Sequence, residues 1–158
     1  MKITIIQIGK TNNLCLENLI HIYHKRIQKY ISLNTSEIQD SKKKNKSKDI
    51  LRVKQFEGKE ILKKISSHDF IILLDEKGKE FTSREFAGFI QNKMNSGIKN
   101  LVFVIGGAYG FSEDVYQKTH AKIALSKMTF SHQLIRLIFA EQLYRAMTII
   151  NNYPYHND

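Results

Sequence analysis

Three loops in the second half of the chain combine glycine, polar and apolar residues in a pattern that could hold a small ligand. They span residues 74–78, 105–110 and 125–130, and each follows a short apolar run. If those runs are parallel strands of one sheet, the loops meet at its carboxyl edge, where open α/β sheets bind their ligands. Glycines in the second loop let the backbone approach a ligand closely, so the pattern favours a ligand held by backbone amides and carbonyls. The same glycines equally suit a plain tight turn, and Met128 and Phe130 equally suit a hydrophobic core.

Several other chemistries lack the residues they require. Gly9-Lys10-Thr11 suggests a phosphate-binding loop, but that motif needs a glycine where this chain has Thr4. The spacing G-x-G-x-x-G is missing, as are G-x-S-x-G and H-E-x-x-H. Cys15 is the only cysteine, and the pair His21 and His24 has no further ligand in view. Metal-dependent, serine-nucleophile and P-loop enzymes are therefore poor candidates, and no metal is expected.

The elements that would position the loops alternate between apolar strands and amphipathic helices. The apolar patterns predict strands at 3–8, 35–38, 70–74, 101–105 and 121–125. Helical spacing predicts helices from Leu16, from Ile50, from the Thr82 capping box, from Ser112, and from about His132 to Ile150. This alternation indicates an α/β fold with a mainly parallel sheet. With 158 residues and no Pro- or Gly-rich linker, we expect one domain spanning 1–158.

Charge and hydropathy further restrict the class of protein. No apolar run is long enough to span a bilayer, and no secretory signal is recognisable, so we expect a cytoplasmic protein without membrane contact. The chain carries a net charge of +10, of which the segment 41–64 contributes +7. A localised positive field typically attracts nucleic acid. The alternative is a solvated, lysine-rich loop, and the stretch 40–48 is expected to be such a mobile loop.

Four segments closely resemble the RlmH family of SPOUT methyltransferases. They span residues 101–110, 125–133, 141–146 and 153–156, and read LVFVIGGAYG, LSKMTFSHQ, EQLYRA and YPYH. The opening residues to Lys10 and the runs YHKR and EGKE fit as well, so the resemblance covers essentially the whole chain at matching length. It implies a homodimeric bacterial enzyme acting on assembled ribosomes. That enzyme would transfer a methyl group from S-adenosylmethionine (SAM) to N3 of a pseudouridine in a stem-loop of large-subunit (23S) ribosomal RNA.

The resemblance also implies a fold and a cofactor site. The fold is α/β, with a mainly parallel sheet flanked by helices and a C-terminal trefoil knot that contains the SAM site. Because chains rarely thread their own loops, the knot rests on the resemblance alone. The residues that carry over as the SAM site are Leu74, Gly106, Leu125, Ser126, Lys127, Met128, Thr129 and Phe130. The last helix is apolar around most of its circumference, which favours a second covering surface such as a dimer partner; a helix buried inside one chain is the alternative.

Methylation of an imide nitrogen requires loss of its proton, so a base or an anion-stabilising donor is wanted near the target. The candidates are His132, Arg136, Arg145 and His156. His132 and Arg136 are expected to share a helix face; His132 could instead cap the helix, and Arg145 could merely pair with Glu141. The tail 153–156 has two tyrosines and a histidine, which suit a flipped base, although it could be docked for stability alone. A catalytically silent RNA-binding or ribosome-assembly module, or a SPOUT enzyme acting on tRNA, are the alternative functions.

Overall fold

Five strands and five helices alternate along the residues that the computed structural model describes, which are 1–39 and 49–156. In chain order they are β1 (Lys2–Ile8), α1 (Leu14–Ile27), β2 (Ser32–Ile38), α2 (Ile50–Lys63), β3 (Phe70–Glu80), α3 (Ser83–Asn95), β4 (Asn100–Ile105), α4 (Glu113–Gln117), β5 (Ala121–Ala124) and α5 (Leu134–Ile150). The strands form one sheet in the order β2-β1-β4-β3-β5, and every neighbouring pair is parallel. The predicted α/β fold with a parallel sheet is confirmed.

The sheet is covered by helices on both faces because its strands are apolar on both sides. In β4, Leu101, Phe103 and Ile105 belong to a core shared with α1, α3 and α5. The alternate residues Val102 and Val104 belong to a second core shared with α2 and α4. Period-2 alternation with both faces buried produces the continuous apolar runs seen in the sequence.

The helices begin at polar caps, as the sequence indicates. Asn13 caps α1 by accepting hydrogen bonds from the backbone N–H groups of Cys15 and Leu16. Thr82 and Glu85 form the predicted capping box at the start of α3. Asp49 caps α2 in the same way as Asn13 caps α1.

Four boundaries differ from the predictions. Helix α1 begins two residues earlier than Leu16, and β2 begins at Ser32 rather than at 35. Strand β3 continues to Glu80 instead of ending at Leu74, because residues 79–80 pair with β5. Helix α5 begins at Leu134, so His132 lies in the preceding turn. The loop expected at 40–48 lies outside the described residues.

Candidate functional site

The three segments singled out in the sequence lie side by side at one edge of the sheet, although residues 74–78 are part of strand β3 and not the predicted loop. Leu74 of β3 pairs with Ile105 of β4 on one edge and with Ile123 of β5 on the other. Gly106 and Leu125 follow those two strands within two residues, so Leu74, Gly106 and Leu125 meet at the carboxyl edge of three adjacent strands. Leu74 and Leu125 are both half-buried and pack against the core that contains α5. The sheet register therefore brings the three parts of the expected cofactor site together.

Two glycines of the second loop lie close to neighbouring side chains, and a third has a backbone conformation that favours glycine. A Cβ atom on Gly106 would lie 3.0 Å from the ring of Phe111, which is buried in the core beneath α2 and α4. A Cβ atom on Gly107 would lie 2.7 Å from Oε2 of Glu57, a buried carboxylate on α2. Gly110 has a φ of +77°, a conformation that favours glycine. The loop is thus held against α2 and Phe111, and this buried glutamate was missed as a site element by the sequence analysis.

The run 125–130 is half-buried at both ends and exposed in the middle. Leu125, Ser126 and Phe130 are half-buried, whereas the three residues between them are exposed. Met128 is 76% exposed, so it is not a core residue in this structure. The Ser126 hydroxyl accepts a hydrogen bond from the Met128 N–H, which closes a tight turn. The run thus offers hydroxyl, backbone and apolar groups around an open turn.

Strand β5 is paired by β3 twice. Ile123 pairs with Leu74 and also with Lys79, and Glu80 continues the second pairing onto Ala124. The pairing register therefore shifts between Leu74 and Lys79. Gly78 lies in this shifted stretch, and a Cβ atom there would lie only 2.5 Å from the Ile123 backbone nitrogen.

Asp75, the next residue after Leu74, is anchored on the opposite face of the sheet. Its carboxylate accepts a hydrogen bond from the Tyr116 hydroxyl of α4 and another from the Lys77 N–H. Burial and the neighbouring Asp75 carboxylate raise the pKa of Tyr116. Asp75 and Tyr116 line a cleft of about 450 Å³ together with residues at the start of β5. The pair fixes the start of the first loop, and its long sequence separation gave no signal in the sequence.

The candidate residues at the start of α5 have different environments. His132 is exposed in the turn before the helix, so the expectation that it shares a helix face with Arg136 is wrong. Arg136 is only 2% exposed, and its guanidinium donates to the Ile8 carbonyl and to the Thr11 hydroxyl. Of the two, only His132 faces solvent.

The candidate residues at the far end of α5 form a hydrogen-bonded cluster. Arg145 donates through Nε and Nη2 to Glu141, and its Nη1 lies 3.3 Å from Nδ1 of His156. The Tyr155 hydroxyl also donates to Glu141, and its ring lies under the Arg145 guanidinium at 4.9 Å. Burial, with further contributions from Tyr23 and Glu141, raises the pKa of Tyr155. The structure brings Arg145 and His156 together through the docked tail.

Tyrosines of α1 and α5 extend this cluster. The Tyr144 ring packs edge-on to Tyr155 at 4.8 Å and tilted to Tyr23 at 5.9 Å. The Arg26 guanidinium lies over the rings of both Tyr23 and Tyr144, at 5.6 and 5.7 Å. The YHKR run of α1 thus belongs to the surface that holds the tail, which the helical pattern alone did not indicate.

Neither a metal centre nor a membrane span is found in the part of the chain that the structure describes. No three His, Cys, Asp or Glu side chains there lie close enough to share a metal ion. No helix among those residues is long and apolar enough to cross a bilayer.

Comparison with known proteins identifies the family. A family model described as "Predicted SPOUT methyltransferase" matches residues 1–156. A protein of Flavobacterium psychrophilum named ribosomal RNA large subunit methyltransferase H is 56% identical, with 99% of each chain covered. Proteins of the same name from Christiangramia forsetii and Parabacteroides distasonis are 53% and 52% identical, over 99% and 100% of each chain. Matches of this length and identity, together with the parallel sheet and its three adjoining loops, show that the chain belongs to the RlmH family of SPOUT methyltransferases.

Proposed function

We propose that this protein methylates N3 of a pseudouridine in a stem-loop of large-subunit (23S) ribosomal RNA, using SAM. It would act on assembled ribosomes in the cytoplasm as a homodimer, with residues 1–158 as one SPOUT domain. The observation that carries the proposal is the pairing of Leu74 with both Ile105 and Ile123, which assembles the three loops at one edge. The relatives' printed name, ribosomal RNA large subunit methyltransferase H, supports the RNA substrate.

The residues at this edge fit a cofactor with apolar and polar parts. The half-buried side chains of Leu74, Leu125 and Phe130 can contact its apolar parts, and Ser126 and Thr129 add hydroxyl groups. Backbone groups at Gly106 and in the run 125–130, including Lys127 and Met128, would complete the binding site. When bound there, SAM supplies a methyl group on a positively charged sulfur.

Arg145 and His156 are suited to stabilise negative charge on the target base. Arginine is only a donor, so the contact between its Nη1 and His156 Nδ1 requires Nδ1 to accept. The proton of the neutral imidazole then lies on Nε2, which can donate to a carbonyl oxygen beside N3. Loss of the N3 proton places negative charge on those carbonyl oxygens, and donors aimed at them favour that state. His132, exposed beside the cofactor run, is the candidate to accept the proton.

One chain cannot place both groups of candidates on one nucleotide. Arg136 and Arg145 are nine residues apart on α5, which puts them on opposite sides of the helix and roughly 14 Å apart along its axis. His132 lies further still from Arg145. A symmetric partner resolves this separation by placing the tail of one subunit beside the cofactor run of the other.

Helix α5 offers the surface for such a partner. Leu134 is 38% exposed, and Leu137 and Ile138 on the same side are half-buried. Their spacing of three and four residues forms a continuous apolar stripe. Covering this stripe with its symmetric copy would bury it.

Exposed cations on α2 are proposed to contact RNA phosphates. Arg52, Lys59 and Lys63 are all exposed and lie at spacings of seven and four residues, which is one side of a helix. They continue the lysine-rich segment 42–48, which lies outside the described residues. Phosphate contacts of this kind supply affinity without sequence specificity.

The double pairing of β5 supports the trefoil knot that the family implies. We infer that the two pairings of Ile123 use opposite edges of β5, so that residues 75–78 cross β5 and a loop of the chain encloses it. Gly78 is the residue that lets the backbones approach closely enough for this crossing.

The direct test of the cofactor site is SAM binding measured by isothermal titration calorimetry. We expect affinity in the micromolar range for the wild type and loss of binding in Gly106→Val, because the new side chain would strike Phe111 and displace the loop. Gly88→Ala is the matched control, since its Cβ on α3 would meet no atom within 4 Å. Absence of binding by folded wild-type protein would contradict the assignment and favour the silent RNA-binding module. Methylation of tRNA rather than ribosomes would favour the tRNA enzyme.

A further inference from the structure

Arg136 is a buried cation with an unusual set of partners. Its guanidinium donates to the Ile8 carbonyl, the last of β1, and at 2.9 Å to the Thr11 hydroxyl in the following loop. It makes no ion pair with any residue in 1–39 or 49–156. Its Nε is buried and has no hydrogen-bond partner among the same residues. The side chain therefore links α5 to β1 through two neutral acceptors.

This arrangement is a poor way to stabilise the fold. Burial disfavours the charged guanidinium and lowers the pKa of Arg136. The Glu37 carboxylate attracts the guanidinium, although the two form no ion pair. A buried charge with no ion-pair partner among the described residues, and with one donor unsatisfied, costs desolvation energy that an apolar side chain would not cost. A methionine of similar length would stabilise the fold better at this position, so stability does not explain why the residue is an arginine.

The same turn of α5 is attached to the β1–α1 loop a second time. The Gln133 side chain accepts a hydrogen bond from the Asn12 N–H at 3.0 Å. The Ser131 hydroxyl accepts a hydrogen bond from the Leu134 N–H at the start of α5. The run 125–130 is therefore held at one end by the pairing of β5 with Glu80 and at the other by these links.

We propose that Arg136 is a positioning residue that fixes the exit of the run 125–130 relative to β1, and so holds the cofactor loop in its binding geometry. It acts through the loop and touches neither RNA nor the reacting atoms. The inference rests on the proposed function, because it needs SAM to bind at this loop.

The test compares Arg136→Met, Arg136→Lys and Thr11→Val with the wild type, using SAM calorimetry, thermal unfolding and steady-state methylation of ribosomes. We expect Arg136→Met to weaken SAM binding about tenfold, the size of one hydrogen bond to a charged group. Its Tm should stay within about 4 °C of the wild type. The KM for SAM should rise while kcat at saturating SAM changes little. Arg136→Lys should recover part of the affinity, and Thr11→Val should lose part of it. Lys99→Met, an exposed cation next to the opposite edge of the sheet, is the control for simple loss of charge.

Wild-type SAM affinity in a folded Arg136→Met variant would overturn the inference. If that variant does not fold, wild-type affinity in both Arg136→Lys and Thr11→Val would overturn it equally. A wild-type protein that binds no SAM would instead refute the proposed function, so the two failures are distinguishable.

Discussion

Gly78 is the position where the structure makes its sharpest steric prediction. Replacing it with alanine would place the new Cβ 2.5 Å from the Ile123 nitrogen and 2.6 Å from the carbonyl carbons of Lys122 and Ile123. Carbon atoms in favourable contact lie about 3.5–4.0 Å apart, so the overlap is about 1 Å. The atoms it meets belong to the backbone of β5, where Ile123 is paired with both Leu74 and Lys79, and this backbone cannot yield without breaking those pairs.

The expected cost of Gly78→Ala is at least the roughly 1–3 kcal/mol that overpacking a rigid site costs. For a chain of this size each 1 kcal/mol lowers the Tm by about 2–4 °C. The matched variant Gly88→Ala makes the same chemical change inside α3, where its Cβ meets no atom within 4 Å. Alanine is favoured over glycine in a helix by about 0.5–1 kcal/mol, so this control should be more stable than the wild type.

The assay is urea unfolding of the three proteins at one fixed concentration, because association would shift the apparent stability. We expect the unfolding midpoint of Gly78→Ala to fall and that of Gly88→Ala to rise, with unchanged slopes. A Gly78→Ala variant as stable as the wild type would refute the close crossing of residues 75–78 over β5. It would equally weaken the argument for the knot.

Three further predictions concern the tail, the cations of α2 and the half-buried His24. Deleting residues 153–158 removes Tyr155 and His156 from Glu141 and Arg145. We expect this deletion to abolish methylation of ribosomes, while the SAM affinity measured by calorimetry and the mass of the dimer stay unchanged. Methylation at the wild-type rate would refute this role of the tail. If about five cations each neutralise a phosphate, the slope of log affinity against log salt should lie near −3.5 to −4.5. Replacing Arg52, Lys59 and Lys63 with glutamine should reduce the magnitude of this slope by about 2–3. An unchanged slope would exclude α2 from the RNA interface. Burial, with His21 nearby, lowers the pKa of His24 from 6.5 to about 4, so the unfolded chain binds the extra proton and stability should fall as the pH drops from 6.5 towards 4. Urea unfolding across this range should show the loss in the wild type and less of it in His24→Gln, and equal losses in both would contradict the assignment.

The strands and helices were predictable because each depends on a local pattern. The apolar run 101–105 is continuous because both faces of β4 are buried, and the Thr82 capping box is read directly from four residues. The carboxyl-edge position of the three loops then followed from the general geometry of parallel sheets. The predicted strand ends were wrong where pairing with a distant segment sets them. Strand β3, for example, continues to Glu80 because residues 79–80 pair with β5.

The partners of the candidate residues could not be predicted, since they join segments far apart in the chain. Arg136 was a candidate to act on the target base, whereas its hydrogen bonds go to Ile8 and Thr11, more than 120 residues away in sequence. The glycine at 106 suggested access for a ligand, but its nearest constraint is the ring of Phe111. By contrast, the pairing of Arg145 with Glu141 was named as an alternative from the sequence, because it is local to one helix turn. The function itself was predicted from the resemblance of the motifs, because composition and charge indicated no more than nucleic-acid binding.

The proposed reaction is tested by methyl transfer from labelled SAM to ribosomes, followed by nucleoside analysis of the digested RNA. We expect the label to appear in large-subunit RNA as 3-methylpseudouridine, and the Arg145→Ala variant to bind SAM but fail to introduce the label. Label in any other nucleoside, or no label with folded protein that binds SAM and ribosomes, would contradict the proposed reaction.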